Sequence, residues 1–173
     1  MNKNCKKGFT LIEIVIFIVV FTIGVMGIMM LFYNVLGKTS DPTVRHKGVQ
    51  IAQTVMEVIV AKKFDEDTPN GGGTIDKSLI NIGSETGETI SKYDDVDDYV
   101  DNCDEEKQWQ PSDFGLSGNF EIYVTVYYID IDNDGNIVKS ECTTPTNYKL
   151  IKVRVHNSAI NEDYTSTHIK GNF

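Results

Sequence analysis

Acidic side chains at regular spacing form a candidate metal site in the C-terminal half of the sequence. Three aspartates at alternate positions are followed by a glycine and then, after five intervening residues, by a glutamate. In calcium-binding loops of this pattern, alternate side chains converge on one ion, the glycine permits a sharp turn, and the glutamate completes the coordination shell. The candidate ligands for Ca²⁺ are Asp130, Asp132, Asp134, Asn136 (through its backbone carbonyl) and Glu141.

A second interpretation explains the same acidic segment without a metal. The residues on either side alternate between apolar and polar as strands do, whereas calcium loops of the EF-hand type connect two helices. Asp134-Gly135 is also a strong signal for the turn of a β-hairpin. The sequence therefore leaves open a calcium site and an acidic hairpin turn.

A denser group of acids lies upstream, in the segment DDVDDYVDNCDEE. It places eight carboxylates within the thirteen residues Asp94–Glu106. Repulsion between so many like charges has to be screened by cations or solvent. We expect a second cation site, a surface for a basic partner, or a solvated acidic loop.

Two of the three cysteines lie in the part of the chain that we expect to be exported. An even number of cysteines in an exported domain favours a disulfide, here between Cys103 and Cys142. Closing a loop of this length stabilises the folded state by up to about 4 kcal/mol in the chain-entropy description. Two buried free thiols are the alternative.

The sequence contains no constellation that predicts an enzyme. The three histidines, His46, His156 and His168, form neither a zinc-protease motif nor a pairing with a nucleophile. The formal net charge is −9, and without the three lysines of the first eight residues 13 basic side chains face 25 acidic ones. Nucleic-acid binding requires clustered positive charge, so we expect no nucleic-acid partner.

The N-terminal region has the length and composition of a membrane span. Phe9–Tyr33 is about 25 residues long, or roughly 37 Å as a helix, and a bilayer core is about 30 Å thick. A short basic leader precedes it, which predicts a cytoplasmic N-terminus and an exported C-terminal part. The attractive small-residue cleavage position, Gly8, lies before the apolar run, unlike the site of an ordinary secretory signal.

Glu13 is an acid inside this apolar run and needs a physical explanation. A charge at the centre of a bilayer costs about 2.5–3.5 kcal/mol or more, and less near the interface. After cleavage at Gly8, the nearest new cation would be the α-amino group of Phe9, which a neighbouring copy could present better than the same helix. The alternative is a plain membrane anchor in which Glu13 extends to the lipid headgroups.

The leader resembles a known class of sequences. Lys6-Lys7-Gly8-Phe9-Thr10-Leu11-Ile12-Glu13 followed by a long apolar helix is similar to the class III leader of type IV prepilins and type II secretion pseudopilins. The resemblance implies cleavage between Gly8 and Phe9 by a prepilin peptidase, N-methylation of Phe9, and pairing of Glu13 with the Phe9 amine of an adjacent subunit.

The elements that would position these residues are a long helix and an antiparallel sheet. Asp41-Pro42 predicts a break, with Asp41 capping a second helix that begins at Pro42. Helical spacing over Val44–Phe64 predicts an amphipathic helix packed on a sheet, and residues 65–118 are expected to be irregular. Alternation predicts strands at Phe120–Asp130 and Tyr148–His156, with a further strand at Ile137–Cys142.

Together these elements predict an α+β fold, which matches the type IV pilin fold that the leader implies. The expected organisation is a leader over residues 1–8, a transmembrane and assembly helix over 9–38, and an exported globular head over 39–173. Met30 occupies the position where major pilins often carry proline, which favours a minor subunit.

Short segments of the head resemble minor pilins more narrowly. They are similar to the minor pilin D group of mannose-sensitive haemagglutinin (MSHA) pili and to PilV-type minor pilins. The segments are Asp41-Pro42, Ile51-Ala52-Gln53, Lys63-Phe64-Asp65-Glu66, Gly71-Gly72-Gly73, Asp94-Asp95-Val96-Asp97-Asp98-Tyr99 and Gly171-Asn172-Phe173.

This resemblance implies a non-enzymatic minor subunit of a type IV pilus that acts in initiation or adhesion. Its partners would be other pilin subunits, prepilin peptidase, the inner-membrane assembly platform, and membrane lipid before assembly. It would be a single-pass inner-membrane protein first and part of an extracellular fibre afterwards. The alternatives are a minor pseudopilin of a type II secretion system, acting in the periplasm, and a calcium-dependent adhesin module on a pilin stem.

Overall fold

A computed structural model describes residues 8–84 and 87–173, with the backbone alone for 36–41. Residues 1–7 of the expected leader lie outside the described residues. The chain divides into two compact units, with the boundary between Val44 and Arg45. One helix, α1, spans Leu11–Val60, and its C-terminal part belongs to the second unit.

The second unit contains an antiparallel sheet of five strands. They are β1 (Lys107–Trp109), β2 (Glu121–Ile131), β3 (Ile137–Lys139), β4 (Tyr148–Asn157) and β5 (Glu162–Gly171). The order across the sheet is β1-β2-β4-β5, and β3 pairs with the end of β2 that β1 leaves free. Between α1 and β2 the described backbone is mostly irregular, with short 3-10 turns at Lys77–Leu79 and Pro111–Phe114. The predicted α+β fold of a long helix and an antiparallel sheet is therefore confirmed.

Helical and strand periodicity both place the apolar side chains in the core as predicted. The helix residues 45–60 bury one face, while Lys47, Gln50, Gln53 and Glu57 are exposed. The buried helix residues are Gly48, Ile51, Ala52, Val55, Met56 and Ile59. The buried face of β2 consists of Ile122, Val124, Val126 and Tyr128, preceded by Phe120, and β4 contributes Ile151, Val153 and Val155.

Contacts with β5 hold the helix segment 45–60 against the sheet. A Cβ atom added to Gly48 would lie 2.3 Å from the ring of Tyr164, so only glycine allows this close approach. The Lys170 Nζ atom donates to the carbonyls of Val60 at 2.9 Å and Lys62 at 2.8 Å, where α1 ends. These bonds satisfy carbonyls that the end of a helix leaves without partners.

The predicted break at Asp41-Pro42 is wrong. The backbone is helical through both residues, so Pro42 lies inside α1 and no second helix begins there. A proline inside a helix removes one hydrogen bond and costs about 3 kcal/mol. Beyond it, packing of the apolar face of residues 45–60 on the sheet keeps the chain helical.

Candidate functional site

The start of α1 places Glu13 at the third helical position. The helix begins at Leu11, and Ile14 donates its backbone N–H to the Thr10 carbonyl at 3.3 Å. The Glu13 Oε2 atom accepts the backbone N–H of Thr10 at 3.4 Å. A carboxylate here satisfies a free amide and interacts favourably with the positive end of the helix dipole. Glu13 is therefore at the very start of the apolar span, where a charge costs less than at the bilayer centre.

Phe9 and Glu13 share one open surface groove with Ile14 and Phe17. Phe9 is 80% exposed, so its backbone nitrogen, the predicted terminus after cleavage, belongs to an accessible part of the chain. A cation brought into this groove would meet the Glu13 carboxylate against an apolar background. In such a background an ion pair is stronger than in water.

The apolar part of α1 is exposed along its whole length. Leu11–Val35 is long and apolar enough to cross a membrane, and it is the one such helix among the described residues. None of its side chains is buried, and Phe17 and Phe21 stack on each other along the surface. Lipid or neighbouring helices are the surroundings that this composition favours.

The segment with calcium-loop spacing forms a tight hairpin between β2 and β3. Asp130 pairs across the strands with Val138, and Gly135, at a φ of 82°, donates its N–H to the Asp132 carbonyl at 3.0 Å. The Asp132 carboxylate accepts the backbone N–H groups of Asp134 at 2.9 Å and Asn136 at 2.8 Å. The bonds from Asn136 are the main reason why the pKa of Asp132 is below its ordinary value.

This hairpin does not bring the predicted calcium ligands together. Asp130, Asp134 and Glu141 are exposed, and Glu141 lies beyond the end of β3. Within residues 8–84 and 87–173, no group of three or more His, Cys, Asp and Glu side chains is placed to hold a metal ion. Calcium ligation by these residues stays a prediction, and the acidic turn accounts for their arrangement.

The predicted disulfide between Cys103 and Cys142 is confirmed. The Cα atoms are 5.7 Å apart, and the bond joins the irregular segment before β1 to the segment after β3. Next to it, Lys139 and Asp104 form a salt bridge. The bond constrains the same irregular segment that contains the dense group of acids.

The interpretation of that group as a solvated loop is wrong for its first half. Asp95, Asp97 and Asp98 are at most 2% exposed. Asp95 Oδ1 accepts the N–H groups of Asp97 and Asp98 at 2.9 and 3.2 Å, while Asp98 Oδ2 accepts those of Asp94 and Asp95 at 2.9 and 3.1 Å. The two carboxylates thus cap one tight turn from both sides. The second half, Asp101–Glu106, remains largely exposed.

Lys149 forms a buried ionic centre with this turn. Its side chain is fully buried, and Nζ donates to the Phe64 carbonyl at 2.9 Å, to Asp65 Oδ2 at 2.8 Å and to Asp97 Oδ1. Three acceptors match the three donors of an ammonium group. Backbone bonds between Lys63 and the residues Asp94 and Val96 hold the two acidic segments side by side.

Burial raises the pKa of two acids of this turn, Asp95 and Asp97. Desolvation raises the pKa of Asp97 well above its ordinary value, although the nearby Lys149 opposes the shift. Desolvation, followed by repulsion from Asp98, raises the pKa of Asp95 to about 6. Among the described residues, Lys149 is the one fully buried cation beside these acids, and the raised pKa values of Asp95 and Asp97 favour their protonated forms.

Sequence reasoning missed this centre, although a signal was present. The buried face of β4 contains Ile151, Val153 and Val155. Lys149 lies on the same face, because side chains alternate along a strand and it is two residues before Ile151. A lysine at a core position requires an acidic partner, and the DDVDD segment supplies one. The aromatic residues near the turn, Tyr93, Tyr99, Trp109 and Phe114, pack against one another.

Comparison with known proteins identifies the N-terminus alone. The prokaryotic N-terminal methylation motif matches residues 3–29, which covers most of the basic leader, Gly8, Phe9, Glu13 and the first part of α1. No curated protein matches the chain. No solved structure matches it either.

Proposed function

We propose that this chain is a minor structural subunit of a type IV pilus, similar to the minor pilins of MSHA pili. The methylation motif supports a type IV pilin or pseudopilin subunit. The long apolar helix followed by an antiparallel sheet is consistent with the type IV pilin fold. The minor role rests on the residue resemblances in the head and on Met30 in place of proline.

The observation that carries the proposal is an acid held at the start of an exposed apolar helix. Residues 9–38 anchor the precursor in the inner membrane, with the N-terminus in the cytoplasm and residues 39–173 exported. Prepilin peptidase cleaves after Gly8, and Phe9 becomes the methylated terminus. The assembly platform then transfers the subunit from lipid into the fibre.

Glu13 determines the axial position at which the subunit enters the fibre. Among the described residues, its carboxylate accepts a hydrogen bond from the Thr10 amide at the start of its own helix. In the fibre, the Phe9 amine of an adjacent subunit enters the groove and pairs with the carboxylate. Pairing removes an uncompensated charge from apolar surroundings, which favours the one axial offset that brings Phe9 and Glu13 together.

Mass spectrometry of fibres sheared from the native host tests the proposal. We expect a peptide that begins at N-methylated Phe9, at low stoichiometry beside a more abundant pilin. A processed chain that stays wholly in the membrane fraction while fibres are present would favour a type II secretion pseudopilin. An unprocessed chain in that fraction would refute processing at Gly8.

Substitution of Glu13 tests its role in assembly. We expect Glu13→Ala to leave membrane insertion and cleavage intact and to remove the chain from sheared fibres. Glu57→Ala is the matched control, because Glu57 is an exposed acid on the same helix beyond the apolar span. Incorporation of Glu13→Ala at the wild-type level would exclude the pairing role.

A further inference from the structure

The buried centre holds an amine against a carboxyl group in the absence of bulk water. The side chains of Lys149, Asp65 and Asp97 are 0%, 4% and 3% exposed. Lys149 is 84 residues from Asp65 and 52 from Asp97 along the chain, so folding alone brings them into contact. The ring of Phe64 lies 4.7 Å from Nζ and covers the centre further.

We propose that Lys149 and Asp97 are joined by an isopeptide bond between Nζ and Cγ. In water, an amine and a carboxylic acid exist as an ion pair, and hydrolysis opposes their condensation. Burial disfavours the charged forms, and exclusion of water opposes hydrolysis. Holding the two groups in contact replaces a bimolecular encounter with a step of high effective molarity.

Asp97 is the electrophile because both of its oxygens are engaged. Oδ1 contacts Lys149 Nζ, and Oδ2 accepts the backbone N–H of Gly83 at 3.2 Å. A backbone donor on the second oxygen stabilises the negative charge that develops there during attack. In Asp65, by contrast, Oδ2 accepts both the bond from Lys149 Nζ and the bond from the Asn81 N–H. Among the described residues, no separate donor on Oδ1 is therefore available to stabilise developing charge while Nζ contacts the other oxygen.

The protonation states fit this assignment. Burial raises the pKa of Asp97, which favours the neutral acid that a nucleophile can attack. Asp65, with Oδ2 2.8 Å from Nζ, is the proton acceptor. It touches the reacting amine directly, so it acts as the catalytic base.

The reaction balances within these three side chains. Asp65 takes one proton from the Lys149 ammonium group, and the lone pair of the neutral amine forms a bond to Cγ of protonated Asp97. A second proton passes from nitrogen to the hydroxyl oxygen Oδ1, the Cγ–Oδ1 bond breaks with its electron pair, and water leaves. The products are a secondary amide, one water and protonated Asp65, with no change in oxidation state.

Such a bond would fasten the turn Asp95–Asp98 to β4. The disulfide already ties Cys103, five residues beyond Asp98, to the segment after β3. With both bonds in place, the irregular segment before β1 would be covalently attached to the sheet at two points. This inference does not depend on the proposed role in a pilus.

Mass spectrometry of the full chain, purified in detergent and reduced, tests the bond. We expect an intact mass lower by one water than the mass calculated for the chain from the N-terminus and methylation that its N-terminal peptide shows. A protease digest should yield a branched peptide linking Lys149 to Asp97. A full sequence mass, or a lost water mapped to a different pair, would overturn the proposal. Because this measurement uses the wild-type chain, misfolding of a variant cannot obscure it.

Variants identify the roles of the two acids. Asp97→Asn should lose ammonia instead of water, because the leaving group changes while the amide product stays the same. Most Asp65→Asn molecules should keep the mass of the unreacted chain, because Lys149 and Asp97 remain but the proton acceptor is absent. Asp101→Asn, an exposed acid of the same segment, is the matched control and should lose water as the wild type does. Loss of water in Asp65→Asn at the wild-type level would overturn the role of Asp65.

Discussion

Removing the Lys149 amine should destabilise the head more than any surface substitution. Lys149→Met keeps a side chain of similar length in the same buried position. It removes both the ion pair and the proposed bond to Asp97, so Asp65 and Asp97 lose their buried partner. Breaking a buried ion pair from one side typically costs about 3–5 kcal/mol. The Phe64 carbonyl loses its donor as well, which places the effect toward the upper part of that range.

Urea unfolding followed by tryptophan fluorescence measures this effect. Trp109 is the single tryptophan of the chain and lies in the head, so its signal reports the head even when the full chain is held in detergent. With a slope of about 2 kcal/mol per molar urea, the expected loss corresponds to a midpoint lower by about 2 M. The slope itself should stay constant if Lys149→Met changes stability alone.

Two further variants separate the buried charge from other effects. Lys152→Met, on the same strand and less buried, should change the free energy of unfolding by about 1 kcal/mol or less. Adding Asp97→Asn to Lys149→Met should restore part of the loss, because one unpaired buried carboxyl group is removed. If Lys149→Met and Lys152→Met unfold at the same urea concentration, the buried centre contributes no net stability and the reasoning fails.

Three other predictions concern the turn, the helix contact and the hairpin. Because the pKa of Asp95 is raised to about 6 in the folded state, its proton stabilises the fold at low pH and this contribution is lost as the pH rises from about 4 through 6. Asp95→Asn should therefore gain stability relative to the wild type between pH 4 and pH 7, by up to about 3 kcal/mol, and a pH-independent difference in urea midpoints would contradict the shift. Gly48→Ala should cost about 1–3 kcal/mol because its Cβ atom would meet the Tyr164 ring; combination with Tyr164→Ala should abolish this clash, and additive costs in a double-mutant cycle would argue against it. Millimolar calcium should leave the urea midpoint of the full chain unchanged, as in Asp132→Asn, because the Asp132 carboxylate already accepts the amides of its own turn; a calcium-dependent rise that Asp132→Asn removes would establish the calcium site instead.

Local patterns explain why much of the fold could be predicted. The apolar face of residues 45–60 and the alternation in β2 and β4 reflect direct contact with one core, so the period of the sequence reveals the element. β5 was not predicted, because it pairs on one side only and its central residues, Thr165–His168, are polar. The break at Pro42 was predicted from local propensity, which cannot account for packing further along the helix.

The candidate assembly site depends on local spacing in the sequence, whereas the use of the hairpin residues depends on the structure around them. The proposed assembly residues Gly8, Phe9 and Glu13 lie close together along the sequence, so the sequence alone is enough to propose their relation. The spacing of Asp130, Asp132 and Asp134 suits a calcium loop, but the same residues also satisfy the turn of a hairpin. Which use applies depends on whether helices or strands flank the turn, and the flanking residues here form β2 and β3.

The ionic centre requires a longer chain of inference, and the sequence supplies its first steps while the structure supplies the rest. Alternation in β4 assigns Lys149 to the buried face, and a buried lysine requires acids that are buried too. The acids with the means to be buried are those of a turn in which carboxylates cap backbone amides, as Asp95 and Asp98 do. Asp97 lies between these two residues, and in the structure its buried carboxylate contacts Lys149. A lysine on the buried face of a strand therefore indicates that acids of a dense acidic segment are buried with it, and a solvated loop should not be assumed.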